Sequence, residues 1–212
     1  ELDVEDEAYP PRRKVFAMWK VLHSRFGQFD FYMKADTDTF VNIFEVERYL
    51  DALPHEGKRH DTMVYTGRAG SGRAEERADL GLNAQYCMGM GYIMGRDMLE
   101  AMSRSIDWCV AHPHSDHSDT EVGNCVYRVS GMPCKQLWNI HHLYYSVTKD
   151  GTVTKSYRNR IGQSHGSFEG GFFGEPMTAL LVHPLKQEAD MVELHRRVSK
   201  GLTPIVPNLK DE

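Results

Sequence analysis

A strand that runs straight into two carboxylates constrains this chain more than any other stretch: Phe29 to Phe40, FDFYMKADTDTF. Phe29, Phe31, Met33 and Ala35 alternate with polar or amphipathic neighbours, the period of a strand with one buried face. Asp36 and Asp38 then fall at the strand's carboxyl end, where open α/β sheets collect ligands. Two carboxylates there suit a divalent cation that itself holds a diphosphate. An Asp-x-Asp pair also arises by chance, and its plainer use is a strand end followed by an Asx-type cap on the next helix. The surrounding sequence has to decide between the two.

With 41% hydrophobic residues among 212, the chain can bury a sizeable core, and it reads as one domain. The net charge of −5 with scattered Lys and Arg gives no electrostatic footprint for nucleic acid. The acidic run Glu1 to Glu7 reads as a solvated linker. No segment approaches 18 consecutive apolar residues and the first residue is Glu, so neither a signal peptide nor a membrane anchor is expected within the chain, which reads as a piece of something longer. Cys87, Cys109, Cys125 and Cys134 form no CxxC pair, which argues against a zinc ribbon or a thioredoxin-type motif. Two disulfides, with three possible connectivities, and four buried thiols stand equal on sequence alone.

The chain alternates helix and strand. Pro10-Pro11 and a basic turn open a helix with Val15, Met18, Trp19, Leu22 and Phe26 at helical spacing, ending at Gly27. After the Phe29 strand comes a helix capped at Asn42 with Ile43, Val46, Tyr49, Leu50 and Leu53 inward. Met63 to Thr66 reads as a strand and Arg68 to Asp79 as a loop. Cys87 to Gly95, CMGMGYIMG, carries three glycines, so the backbone either turns tightly against a substrate, with Gly89 and Gly91 lining it, or forms a strand weakened at a bulge. A helix resumes over Arg96 to Met102. His112 to Asp119, HPHSDHSD, is a solvated loop rather than a zinc site, since no Cys or i, i+4 pairing accompanies its histidines. Asp119 stands at the N-cap of a helix from Thr120 to Ser130. Tyr144 to Thr148 and Thr178 to Val182 read as strands, the second leading into His183-Pro184. Gly151 to Gly174 is loop or hairpin, and Gln187 to Lys200 is a final helix with Met191, Leu194 and Val198 on one face. Trp19 and Trp108 are assigned to the core. Trp138, His141, His142, Tyr144 and Tyr145 are either core packing or an aromatic platform for an acceptor.

Taken in order, these elements carry a resemblance. KADTDTFV resembles the K-A-D-D-D-T-Y-V of the fringe-like family of inverting glycosyltransferases, which includes core 1 β-1,3-galactosyltransferases. CMGMGYIMGRDML is similar to that family's S-G-G-A-G-Y-V-L-S-R-E-A-L, and LLVHPLKQEADMVEL to the segment holding its metal-binding histidine. The match runs from about Tyr9 to Ser199. It implies a GT-A-like α/β fold, a mixed sheet flanked by helices, lacking its N-terminal nucleotide-binding strands. The implied domain spans 9–200, between an acidic linker at 1–8 and a tail at 201–212.

Residue by residue, the resemblance makes Asp38 and His183 ligands of Mn²⁺, a cation that accepts both carboxylate oxygen and imidazole nitrogen in octahedral geometry. Asp36 would face the donor's ribose or the metal's waters. Asp119 matches the family's base, which takes the proton from the acceptor hydroxyl as that oxygen attacks from the face opposite UDP. Asp116 is its neighbouring fallback. The chain departs from the family at Thr37, where the usual triplet has an acid, and in the short run of sequence before the aspartates.

The expected activity is transfer of a hexose, galactose or N-acetylhexosamine, from a UDP-sugar to a glycan or glycoprotein hydroxyl with β-1,3 linkage. The expected place is the Golgi or endoplasmic-reticulum lumen, the full-length protein being a single-pass type II membrane protein. The competing expectation is a non-catalytic relative that binds glycan or assists a partner enzyme. Phosphotransfer of the haloacid dehalogenase type also uses D-x-D-x-[TV] after a strand, but Phe40 occupies its Thr or Val position and no G-D-x-x-x-D follows.

Overall fold

The computed structural model describes residues 11–53, 55–56, 59–60, 62–70, 86–137, 140–147, 153–158, 180–185 and 188–199. In chain order the elements are α1 (Arg12–Phe26), β1 (Phe31–Ala35), β2 (Phe40–Val41), α2 (Ile43–Asp51), β3 (His55–Glu56), β4 (Arg59–His60), β5 (Tyr65–Gly70) and β6 (Tyr86–Gly95). There follow α3 (Arg96–Ser103), α4 (Ile106–Ala111), α5 (Ser118–Ser130), β7 (Lys135–Gln136), β8 (Ile140–Val147), β9 (Val153–Arg158), β10 (Leu181–His183) and α6 (Glu188–Ser199). This is a mixed α/β fold, as the sequence pattern predicts. Among the described residues no helix is long and apolar enough to cross a membrane.

Two compact units divide the chain. One takes residues 1–35 and 53–137, the other residues 36–52 and 138–212. In the first, strands run in the order β1-β6-β5-β7, antiparallel except for the parallel β5–β7 pair. Its core joins α1, α3, α4 and α5 to this sheet through Phe16, Trp19, Tyr92, Met94, Met98, Met102, Ile106 and Val122. Burying such side chains removes roughly 1.5–3 kcal/mol of exposed apolar surface each, which makes this cluster the main stabilising term of the unit. Trp19 Nε1 donates to Tyr92 Oη at 3.1 Å, Tyr65 meets the Tyr92 ring edge-on, and Tyr65 Oη accepts from Cys87 N at 3.0 Å, so each polar atom of the aromatic trio has a partner inside the core. Two disulfides, Cys87–Cys134 and Cys109–Cys125, settle the open choice about the cysteines.

Several sequence expectations change here. The segment CMGMGYIMG is not a turn but most of β6, the strand reading of those glycines, and the ladder irregularity lies on β5 between Gly67 and Ala69. Gly95 is needed because a Cβ there would stand 2.0 Å from Thr62 O. In β1 the buried side chain is Tyr32, while Phe29 is exposed and precedes the strand. Both phases of that segment carry aromatic residues, so alternation alone could not choose the face. Trp108 is not core: it is 45% exposed, stacked on His112 with the Arg128 guanidinium over its ring. Ile43 is exposed, and Asn42 is the N-cap residue of α2 without a side-chain cap hydrogen bond. The strand expected over 63–66 starts later, at Tyr65.

In the second unit the strand order is β2-β10-β8-β9. β10 lies antiparallel to β2 and parallel to β8, which pairs with β9 as a hairpin. Phe40, Val182, Leu185 and Leu194 form its core, with Met191 and Val198 of α6 packed against them, the helical face that the sequence marked. The aromatic platform expected from Trp138, His141, His142, Tyr144 and Tyr145 concerns side chains outside the described residues, as do 71–79 and 159–174 of the expected loops.

Candidate functional site

Asp36, Asp38 and His183 come together in the second unit, and the local backbone explains how. After β1 the chain turns, Thr39 N donating to Asp36 O at 3.0 Å, which places both aspartates on one short loop before β2. The antiparallel register sets Leu181 against Val41 and Val182 against Phe40, so His183, one step further along β10, arrives beside that loop. Leu185 N then donates to Asp38 O at 2.7 Å, tying the segment after His183 to the same turn. His183 Nε2 lies 3.2 Å from Asp38 Oδ1 and 3.8 Å from Asp36 Oδ2.

One ligand atom from each of the three residues can be chosen so that all lie within 4.8 Å of one another, the one such group among the described residues. Ligands about 2.1 Å from a shared octahedral ion stand about 3 Å apart when adjacent and about 4.2 Å apart when opposite, so the spacing fits a single cation. Two carboxylate oxygens and an imidazole nitrogen also form the mixed hard and borderline donor set that suits Mn²⁺. The side chains keep 40%, 22% and 19% exposure for Asp36, Asp38 and His183, leaving room for further ligands from solution. His112, His114 and His117 join no such group.

Asp119 belongs to the first unit. It lies inside the first turn of α5, whose N-cap is His117, so it is not the cap that the sequence pattern predicts. Its carboxylate is used otherwise: Oδ1 accepts from Thr120 N at 3.0 Å and Oδ2 from Gly89 N, also at 3.0 Å. Gly91 is buried in β6 opposite Ala35 of β1. Lys34 also reaches this group, Nζ donating to Gly89 O. Sequence periodicity did not single out Lys34, although the two-residue repeat that buries Tyr32 turns it to the same face. Asp116, the fallback base, is exposed.

The loop before Asp119 is held by Glu121. Its Oε1 accepts from His114 N at 3.1 Å and from Asn124 Nδ2 at 3.2 Å. Burial raises the Glu121 carboxyl above its ordinary value, while the His114, Asn124 and Ser115 donors pull the other way.

Comparison with known proteins finds chondroitin enzymes. The model of the family described as chondroitin N-acetylgalactosaminyltransferase matches residues 105–202, a stretch that contains Asp119 and His183. Chondroitin sulfate synthase 3 of Mus musculus and of Homo sapiens is each 28% identical over 197 residues, 90% of this chain and 20% of the relative. Human chondroitin sulfate glucuronyltransferase is 27% identical over 181 residues, 84% of this chain and 20% of its own length. These names are of chondroitin enzymes, not of fringe-like or core 1 transferases. The chain spans about a fifth of the length of these relatives.

Proposed function

We propose that this chain is part of a divalent-metal-dependent glycosyltransferase that moves N-acetylgalactosamine or another hexose from a UDP-sugar to a hydroxyl of a chondroitin-type glycan. The observation that carries this is the Asp36–Asp38–His183 donor set at the end of β1, in a chain similar to chondroitin glycosyltransferases over nine tenths of its length. Asp38 and His183 hold the cation, Mn²⁺ in this reading, and Asp36 completes its ligands or binds the donor. Bound there, the ion supplies Lewis-acid stabilisation of the diphosphate leaving group.

Asp119 is the base. Two backbone N–H groups fix its carboxylate and leave lone-pair capacity on each oxygen for an acceptor hydroxyl. Proton removal by one positioned carboxylate is consistent with a single inverting displacement. Gly89 and Gly91, on the strand beside it, are the proposed donor-facing backbone. The β-1,3 linkage and the choice among galactose, N-acetylgalactosamine and the glucuronate named for one relative are finer parts of this reading, decided by a donor panel and by linkage analysis of the product. A Golgi lumen suits two disulfides in one unit.

The test is UDP-sugar turnover by the full-length protein. Asp119→Ala should lower kcat by about 10²–10⁴, the usual contribution of a positioned acid–base group, and Asp38→Ala should lower kcat by removing a ligand of the Lewis-acid ion. Full rates in both variants would overturn the assignment.

A further inference from the structure

Lys34 and Asp119 hold the two polar backbone groups of one residue, Gly89. Lys34 Nζ donates to Gly89 O, and Gly89 N donates to Asp119 Oδ2. A Cβ built on Gly89 would stand 3.6 Å from Asp119 Oδ2 and 3.6 Å from Lys34 Nζ, so ammonium and carboxylate flank the same backbone atom. Lys34 is half-buried there, where a hydrogen bond from a charged donor is stronger than one from a neutral donor.

We propose that Lys34 is a positioning residue for Asp119, acting through the Gly89 backbone; the inference rests on the reading of Asp119 as the base. The ammonium fixes the Gly89 carbonyl. That sets the orientation of strand residue 89, whose N–H in turn sets the plane of the Asp119 carboxylate. Thr120 N holds the other oxygen. With both oxygens anchored, the carboxylate offers its remaining lone pairs in one fixed direction. Without Lys34 the Gly89 segment, which has no side chain to pack, loses its lateral tether, and the base samples orientations that do not meet the acceptor hydroxyl. Misplacement of a reacting group by about 1 Å costs up to about 10²-fold in rate.

The experiment is a kinetic double-mutant cycle in the full-length protein with Lys34→Met, Lys34→Arg, Asp119→Asn and the double variant Lys34→Met/Asp119→Asn. Lys34→Met should lower kcat by about 10–100-fold with the donor KM and Mn²⁺ affinity within about twofold of wild type. Lys34→Arg, which keeps a long cationic donor, should restore most of the rate. The double variant should be no slower than Asp119→Asn alone, because a group that acts through the base has nothing left to act on. If Lys34→Met fails to fold, Lys34→Gln takes its place in the same cycle. An additional loss in the double variant, a kcat unchanged by Lys34→Met, or an effect confined to donor KM would each overturn the proposal. Asp119→Asn at the wild-type rate would instead sink the reading of the base, a different and separable result.

Discussion

Glu121 shows at the scale of a single side chain how the site is held. Its carboxyl is 2% exposed, yet it binds the loop that leads to Asp119 through His114 N–H and reaches Asn124 on its own helix. A buried carboxylate is costly to ionise, and its three donors offset only part of that cost, so its folded value lies above the ordinary 4.5. The folded state therefore binds the proton more tightly than the unfolded chain. That contribution to stability is complete below about pH 4.5 and is lost as pH rises through the raised folded value. Glu121→Gln should remove this dependence. Melting curves from pH 4 to 8 should show the wild type losing Tm relative to Glu121→Gln as pH rises; parallel curves would mean that the carboxyl carries no such cost. By contrast, Asp119, in the first turn of the same helix, accepts one backbone N–H on each oxygen.

Among elements, the packing of α5 on β6 decides where Asp119 can be. Gly123 is the contact point: a Cβ there would come within 2.3 Å of Tyr86 Cβ and 2.7 Å of Tyr86 Cα, and backbone cannot step aside as a flexible side chain can. Gly123→Ala should cost about 1–3 kcal/mol by overpacking, read as a lower denaturant midpoint at unchanged slope. A midpoint within error of wild type would show that the helix does not pack this closely. This pair also marks the limit of what the sequence could tell. Helices α1 and α6 were legible because their apolar residues recur with one period and one phase; β8 begins at Ile140, before the strand expected from Tyr144, and β9 falls within the stretch 151–174 expected to be loop or hairpin. The glycines of β6 were visible, but whether they served a turn or close approach depended on Gly67 and Thr62, residues 24 to 33 positions away that no local pattern connects. Asp36 and Asp38 could be expected from the strand they follow, and His183 only from the family resemblance. Lys34 could not, because its partner is a backbone carbonyl, which has no signature in sequence.

Over the whole molecule, the disulfides and the carboxylate–imidazole cluster are lodged in different units. Both disulfides lie in the first, closing separations of 47 and 16 residues, and each contributes on the order of 2–4 kcal/mol by restricting the unfolded chain. The second unit has no disulfide and a smaller described core around Phe40, Val182, Leu185 and Leu194. Its Asp36 and Asp38 carboxylates converge with the His183 imidazole. A cation held by both β2's approach loop and the end of β10 would join two segments more than 140 residues apart, and mass action makes such a ligand stabilising by about 2.7 kcal/mol at a hundred times its Kd. Hydrogen exchange on the chain with and without Mn²⁺ reads this element by element. Added Mn²⁺ should slow exchange at residues 38–41 and 181–185, where Leu185 N and the β2–β10 ladder are the reporters, and leave β5 and β6 unchanged. His183→Ala or Asp38→Ala should abolish the slowing while the exchange pattern of the apo chain stays close to wild type. Protection that persists in both variants, or that appears only in the first unit, would move the metal centre away from these three residues and with it the site at which the donor is proposed to bind.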